Sequence, residues 1–359
     1  MRPRLRLLAL LMATPLVGGC LEVCYLGQAA AGQDDLFARA RPLDEAIADP
    51  RVAPEVRRQL GLVARVKRFG ERHGLAPTKS YEEYADLERE AAVWVVSAAE
   101  PLRLVPTTWR FPIVGEVPYL GWFDKADAQD LGRELEARGL DVSVREARAY
   151  STLGWFRDPV LSTMLRDGAA DLVDVVLHES THATHYVASQ TVFNESLASF
   201  VARRLTARFL AEELRLSPLE LHDHAEREHT RDRRVRRFRE TLATLEALYA
   251  TDRPPAEKLS EKRRILEALR RELALGLELN HAVLLQARAY GSGEAGFATL
   301  LDACGGDFRR FLSTVRRIDG RAFARRDEPA LDDLLAARAR VGCEPAPTGP
   351  VLRPAAALP

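Results

Sequence analysis

Histidine is scarce in this chain, 8 residues in 359, so a histidine pair at a fixed spacing carries information. No Cys-x-x-Cys pair occurs, which leaves a cysteine-built zinc site without support. Charge of one sign is lacking too: 52 basic side chains face 52 acidic ones. That balance removes any electrostatic case for a nucleic-acid partner. Past the N-terminus there is no apolar run long enough to span a bilayer, and there is no internal repeat.

The first residues carry Arg2, Arg4 and Arg6, then an apolar run from about Leu7 to Val17, then Gly18-Gly19-Cys20. A basic start, a short apolar stretch and small residues before a break are the marks of a secretory signal. A Cys directly after small residues resembles a bacterial lipobox. That resemblance implies cleavage before Cys20 and lipidation of Cys20; the plainer alternative is a signal peptide with an incidental Cys. Leu21, rather than an acid, resembles lipoproteins sorted to the outer membrane. The expected location is therefore the bacterial cell envelope, with the chain lipid-anchored and facing the periplasm. Without residues 1–19 the chain carries 49 basic and 52 acidic side chains, a formal charge of −3. Cys304 and Cys343 can pair in such a compartment or remain as buried thiols, and the sequence leaves both open.

The run His178-Glu179-Ser180-Thr181-His182 has the order His-Glu-x-x-His. On a helix, residues i and i+4 share a face, so His178 and His182 can bind one zinc ion together. Glu179, beside the first ligand, is placed to take a proton from a metal-activated water and pass it to a leaving group. The apolar lead-in from Leu172 to Leu177 reads as a buried helix, where unpaired charge is costly. Glu195, thirteen positions after His182, offers a third ligand from a following helix and leaves a fourth position open. A Glu early in a helix is also favoured by the helix dipole alone.

Periodicity predicts a predominantly helical α+β chain. A signal peptide over 1–19 and a lipidated tether over 20–35 precede a single domain over 36–345, and a disordered tail covers 346–359. Within the domain, N-terminal helices cover 36–92, a small mixed sheet 93–165, the metal-binding helices 166–215, and further helices 218–345. Two charge-laced segments, 219–250 and 256–288, read as a long antiparallel helical hairpin.

His-Glu-x-x-His followed by Asn194-Glu195 on a second helix resembles the gluzincin metallopeptidases, such as thermolysin. The resemblance implies that His178, His182 and Glu195 hold one zinc ion and that Glu179 is the base. A closer resemblance covers most of the chain. AYSTLGWFRDPVLSTML (149–165), HESTHATHYV (178–187) and FNESLASFV (193–201), with SYEEYADL (80–87) and WRFPIVGEV (109–117), look like a bacterial family of zinc aminopeptidases that carry lipoprotein signals. Two departures from thermolysin stand out. The spacing from His182 to Glu195 is shorter, and Ser199 stands where thermolysin has an acid, so a histidine partner must be found elsewhere, in Asp174 or a backbone carbonyl.

Three features are weaker. Tyr150 to Ser162 is either a substrate-pairing edge strand or core. Tyr290, after Asn280 and His281, is a candidate donor to a transition-state oxyanion, or simply packed. His222, His224 and His229 lie on a charged helix and read as a solvated face. The expected partners are a peptide or protein substrate and, through the lipid, a membrane. An aminopeptidase needs an acid to hold the substrate amine, and no motif singles one out. The competing reading is a non-catalytic envelope scaffold with a vestigial or structural zinc, whose working surface is the hairpin.

Overall fold

The computed structural model describes residues 20–111, 115–150, 157–289, 292–324, 331–346 and 349. The expected signal peptide over 1–19, Tyr290, residues 151–156 of the expected edge strand, and the tail beyond 349 lie outside the described residues, as do the side chains of 20–24 and 287–289.

Residues 20–35, expected as a tether, belong to a helix, α1 (Cys20–Arg39). It is docked rather than free. Tyr25 packs on Phe111 and edge-on to Trp122, Gln28 donates to the Gly121 carbonyl, and Leu36 is buried. Apolar residues spaced among Ala and Gly gave a weak periodic signal; the partner surface supplies what the segment lacks on its own.

Two helices follow, α2 (Leu43–Ala48) and α3 (Pro54–Arg72). In α3 the buried stripe Leu60, Val63, Val66 and Phe69 recurs at three and four, with Pro54 at the first turn. Helices were expected over 36–92, but the last of them stops at Arg72. Gly74 takes a left-handed φ of +99°, and a side chain there would meet the Arg309 backbone at 2.9 Å. Past that turn the chain is irregular except for strand β2 (Glu83–Ala85).

The expected single sheet is three small ones. The first joins β1 (Arg41–Pro42), β2 and β8 (Val160–Leu161), with β2 and β8 parallel through Tyr84↔Val160. The second centres on β3 (Val93–Ala99), antiparallel to β6 (Leu120–Trp122) and β7 (Asp141–Ala147). The third is the pair β4 (Trp109–Phe111) and β5 (Gly115–Val117). Strand β3 is buried along nearly its whole length. Val96 and Ala98 share a core with Leu131 and Leu135 of α4 (Lys125–Ala137), capped by Asp124, while Ala99 belongs to the core of the later helices.

The central helices are α5 (Ala169–Thr184) and α6 (Thr191–Glu212), which pack along each other and on α3. The first hairpin arm, α7 (Pro218–Tyr249), has the expected bounds and starts with a capping box between Ser217 and Glu220. The second arm is shorter than expected. It is α8 (Pro255–Glu272), closed by Ala274 in a left-handed conformation with Leu275 N–H donating to the Arg270 carbonyl. A new helix, α9 (His281–Ala289), then starts from Asn280, whose side chain accepts from Val283 N–H. The remainder is α10 (Glu294–Ala303), α11 (Phe308–Val315) and α12 (Asp332–Val341). Cys304 and Cys343 form a disulfide that ties the end of α10 to the end of α12. The predominantly helical α+β class is as expected.

A polar node keys the hairpin to the sheet. Lys262 of α8 is nearly buried, pairs with Asp141 of β7, and donates to the Pro101 carbonyl at 2.9 Å. Asp141 also accepts from His281 N–H at 2.8 Å, and the buried His281 ring sits between the Glu100 carbonyl and the Tyr249 hydroxyl. Removing one partner would strand a buried charge. We expect Asp141→Ala to cost about 3 kcal/mol in urea unfolding, and added Lys262→Met to restore most of it. A loss below about 1 kcal/mol for Asp141→Ala would show the node to be no stronger than a surface pair.

Candidate metal centre and active site

The site grows from α5. Its buried face is Leu172, Val173, Val176 and Leu177. The polar residues that follow are satisfied within the helix: Ser180, Thr181 and Thr184 donate to the carbonyls of Val176, Leu177 and Ser180. His178 and His182 are thus free to share the opposite stripe, one turn apart, with their Nε2 atoms 3.1 Å from each other. Asp174, one turn earlier, acts on His178 by charge, but no hydrogen bond joins the two among the described residues. The sought carboxylate partner of the histidines is therefore not Asp174.

The helix ends at Thr184, where His185 turns extended. Its ring nitrogen Nε2 lies 3.0 Å from the Ile318 carbonyl and donates to it. Ser189, with φ of 60°, turns the chain back. Asn194, in the first turn of α6, then closes the loop: its Nδ2 donates to the Val187 carbonyl at 2.8 Å and its Oδ1 accepts from Val187 N–H at 2.9 Å. That double bond fixes the neighbouring Glu195. Its carboxylate oxygens lie 3.3 Å from His178 Nε2 and 3.6 Å from His182 Nε2.

These three donors fit a metal ion. Ligands about 2.0–2.1 Å from a tetrahedral zinc stand about 3.3 Å apart, and the observed separations bracket that value. They form a trio able to hold a metal ion, and no second one is found among the described residues. His222 and His229 are exposed and His224 is half-buried, as expected of a solvated helix. Without an ion, burial pulls both imidazoles down. For His182 burial wins, to about 4, whereas hydrogen bonding and charge from Glu195, helped by Glu179 and Asp174, carry His178 up to about 9. His182 Nδ1 is buried with no hydrogen-bond partner among the described residues.

Glu179, which acts by charge on His178, also lines a small pocket with Thr78, Ser80, Tyr81, Asp158, Ser180 and Ala183. The β2–β8 pairing builds it. Tyr81 N–H donates to the Asp158 carbonyl at 2.6 Å, and Asp158 N–H donates to Ser80 Oγ at 3.3 Å. Tyr81 holds a left-handed φ of 64°, costly for an aromatic residue. Its phenol pKa is raised by burial and by the charges of Glu179 and Asp158. Neither Tyr81 nor Asp158 was visible as a site residue in the sequence, although both lie in the runs that carry the family resemblance. A further unforeseen residue is Arg203, which bonds Glu228 at 2.6 Å and Asp232 at 2.7 Å and so braces α6 against α7.

Residues 24–329 match the family described as "Putative aminopeptidase". The chain belongs to that family. No curated protein and no solved structure matches the chain. The aminopeptidase-family match spans the metal trio, Glu179, the Tyr81–Asp158 pocket and Tyr290; Cys20 and Cys343 lie outside it.

His185 makes the aminopeptidase-family core sensitive to acid. Burial first, opposed by the Ile318 hydrogen bond, lowers its pKa to about 4 from an ordinary 6.5. The unfolded chain binds a proton below pH 6.5 that the folded chain refuses. Stability from this group is complete above that pH and is lost as pH falls towards 4. From about pH 7.5 to about pH 4, wild type should lose about 3 kcal/mol more than His185→Gln in urea unfolding. Parallel curves for the two proteins would remove His185 as the cause.

Proposed function

We propose that this chain is a zinc metallopeptidase that hydrolyses peptide bonds as an aminopeptidase, tethered to the bacterial envelope through a lipid on Cys20. The observation that carries the reading is the convergence of His178, His182 and Glu195 beside the pocket that holds Glu179. A His, His, Glu donor set suits zinc and leaves a fourth position for chemistry. The local arrangement resembles the gluzincins. Family membership supports a peptidase-like activity.

His178, His182 and Glu195 would hold the ion, which would supply Lewis acidity, lowering the pKa of the attacking water and polarising the scissile carbonyl. Glu179 accepts the water's proton on its carboxylate as the C–O bond forms. It then returns that proton to the amine nitrogen as the C–N bond breaks. A scaffold with a structural zinc has no use for such a base, nor for a hydroxyl-lined pocket around it.

For the location, the support is the lipobox-like start and the Cys304–Cys343 disulfide, which persists in oxidising compartments. No helix of the described residues is long and apolar enough to cross a membrane.

Glu179→Gln should bind zinc as wild type does and lose about 10³-fold in turnover of a peptide library read by mass spectrometry. Unchanged turnover would dismiss Glu179 as the base. His182→Ala should emerge from dialysis without zinc by elemental analysis, and stoichiometric zinc in that variant would overturn the ligand assignment.

A further inference from the structure

One stripe of α7 changes character halfway along the helix. Positions 227, 231, 234, 238, 241 and 245 recur at four and three residues and so share one face. The later part of this stripe, Phe238, Thr241 and Leu245, is buried against the body of the protein. The earlier part is Arg227, Arg231 and Arg234, all exposed. A face turned inward at one end of a helix stays turned inward two turns away. Exposure of the three arginines therefore marks an open cleft between this half of α7 and the helices opposite.

Those helices are α5 and α6. Arg203 bonds both Glu228 and Asp232, so α7 crosses α6 eight residues beyond Glu195, about 12 Å along the helix. Since α5 folds back along α6, the same level of α5 is the stretch before His178, with Asp171 and Asp174. Asp174 feels the charges of Arg231 and of His178, which places Arg231 across the cleft, one turn from the first histidine. The trio opens the same way: the His178 side chain is 16 % exposed and that of His182 4 %. The arginine charges are largely uncommitted. Arg227 and Arg234 make no ion pair among the described residues, and Arg231 has Glu228 at 3.7 Å, an acid that Arg203 already holds at 2.6 Å. Burial, the main influence on Asp174, favours its neutral form, so it competes weakly for Arg231.

We propose that Arg227, Arg231 and Arg234 bind the side-chain carboxylates of acidic peptide substrates, at residues beyond the bond that is cut. The assignment rests on the peptidase reading above and deepens it by naming the substrate class. An aminopeptidase has a single residue before the scissile bond, so an extended row of contacts meets the chain after it. The three arginines span about 10 Å along α7, the length of about three extended residues. Each guanidinium offers a fork that matches a carboxylate, and the row repels lysine and arginine at the same positions.

The test compares two C-terminally amidated peptides, Leu-Gly-Glu-Glu and Leu-Gly-Gln-Gln, with the zinc-loaded full mature chain. Wild type should favour the glutamate peptide about tenfold in kcat/KM at about 20 mM salt, mainly through KM, and the preference should shrink at about 0.5 M. Arg227→Gln, Arg231→Gln and Arg234→Gln together should abolish it. Equal cleavage of the two peptides by wild type, or a preference kept by the triple variant, would overturn the proposal. So would a preference for a free C-terminus on Leu-Gly-Gln-Gln with none for glutamate side chains. Zinc content and the urea midpoint of the variant are measured alongside; the wild-type comparison stands whether or not the variant folds. Loss of binding to phosphatidylglycerol vesicles in the triple variant, with peptide preference unchanged, would give the row to a membrane surface and overturn the substrate assignment. Calorimetric binding of the peptides to Glu179→Gln separates this proposal from the peptidase reading. Tighter binding of the glutamate peptide that disappears with the three arginines upholds the subsite even if no peptide is cut. Equal binding of the two peptides refutes it even if peptides are.

Discussion

The paired hydrogen bonds between the Asn194 side chain and the Val187 backbone are the contact on which the site depends. Two residues of the trio that could hold a metal ion come from α5 and the third from α6, and nothing within either helix can set the distance between them. The loop between them does so, and its geometry is decided by one buried amide that satisfies both the N–H and the C=O of a single residue. Once Val187 is fixed, Glu195 is one residue away along the helix from Asn194, and its direction follows. Other bonds act on the same joint. His185 ties the end of α5 to Ile318, and Arg203 ties α6, about two turns beyond Glu195, to the acids of α7. The joint is therefore held from three sides before any ligand arrives.

Such rigidity offsets an unfavourable local composition. Two imidazoles and a carboxylate meet in a buried place, where each charged form is penalised unless it is paired. The opposite shifts of His178 and His182 follow from this: the contact with Glu195 raises the imidazole closest to it, and burial lowers the other. Backbone strain gathers in the same region, at Ser189 between the two helices and at Tyr81 across the pocket. Strain at such positions persists only when the surroundings over-determine it, and here the surroundings are the Asn194 clasp on one side and the β2–β8 pairing on the other.

The sequence is legible where the chemistry is local. His178 and His182 are one helical turn apart, so their shared face follows from the period alone, and Glu195 follows from a short loop and a folded-back helix. The long arm α7 shows itself through a Pro-led capping box and an uninterrupted charged pattern. What escapes is what depends on distant partners. Tyr81 and Asp158, 77 residues apart, meet because two very short strands pair in parallel, and strands of two or three residues carry no period to read. The docked α1 was hidden for a similar reason: its helix is set by the surface of Phe111 and Trp122, not by its own composition. The break in the second arm turns on Ala274 in a left-handed conformation, which no residue preference announces, since alanine is the best helix former.

The hairpin holds none of the three residues of the candidate metal trio, yet it is connected to them by a continuous path. Asp141 of β7 holds Lys262 of α8; α8 packs on α7; α7 presents Glu228 and Asp232 to Arg203; and Arg203 lies on the helix that bears Glu195. Both ends of this path are charge pairs, and the middle is an apolar core of Phe238, Leu242, Leu245, Leu266 and Leu269. An apolar seam between helices tolerates sliding, because its energy depends on area more than on direction. Charge pairs at the two ends remove that freedom, since a shifted register would leave Lys262 or Arg203 without its acid. The hairpin is thus better understood as a brace of defined length, pressing α6 to the position at which Glu195 meets the two histidines.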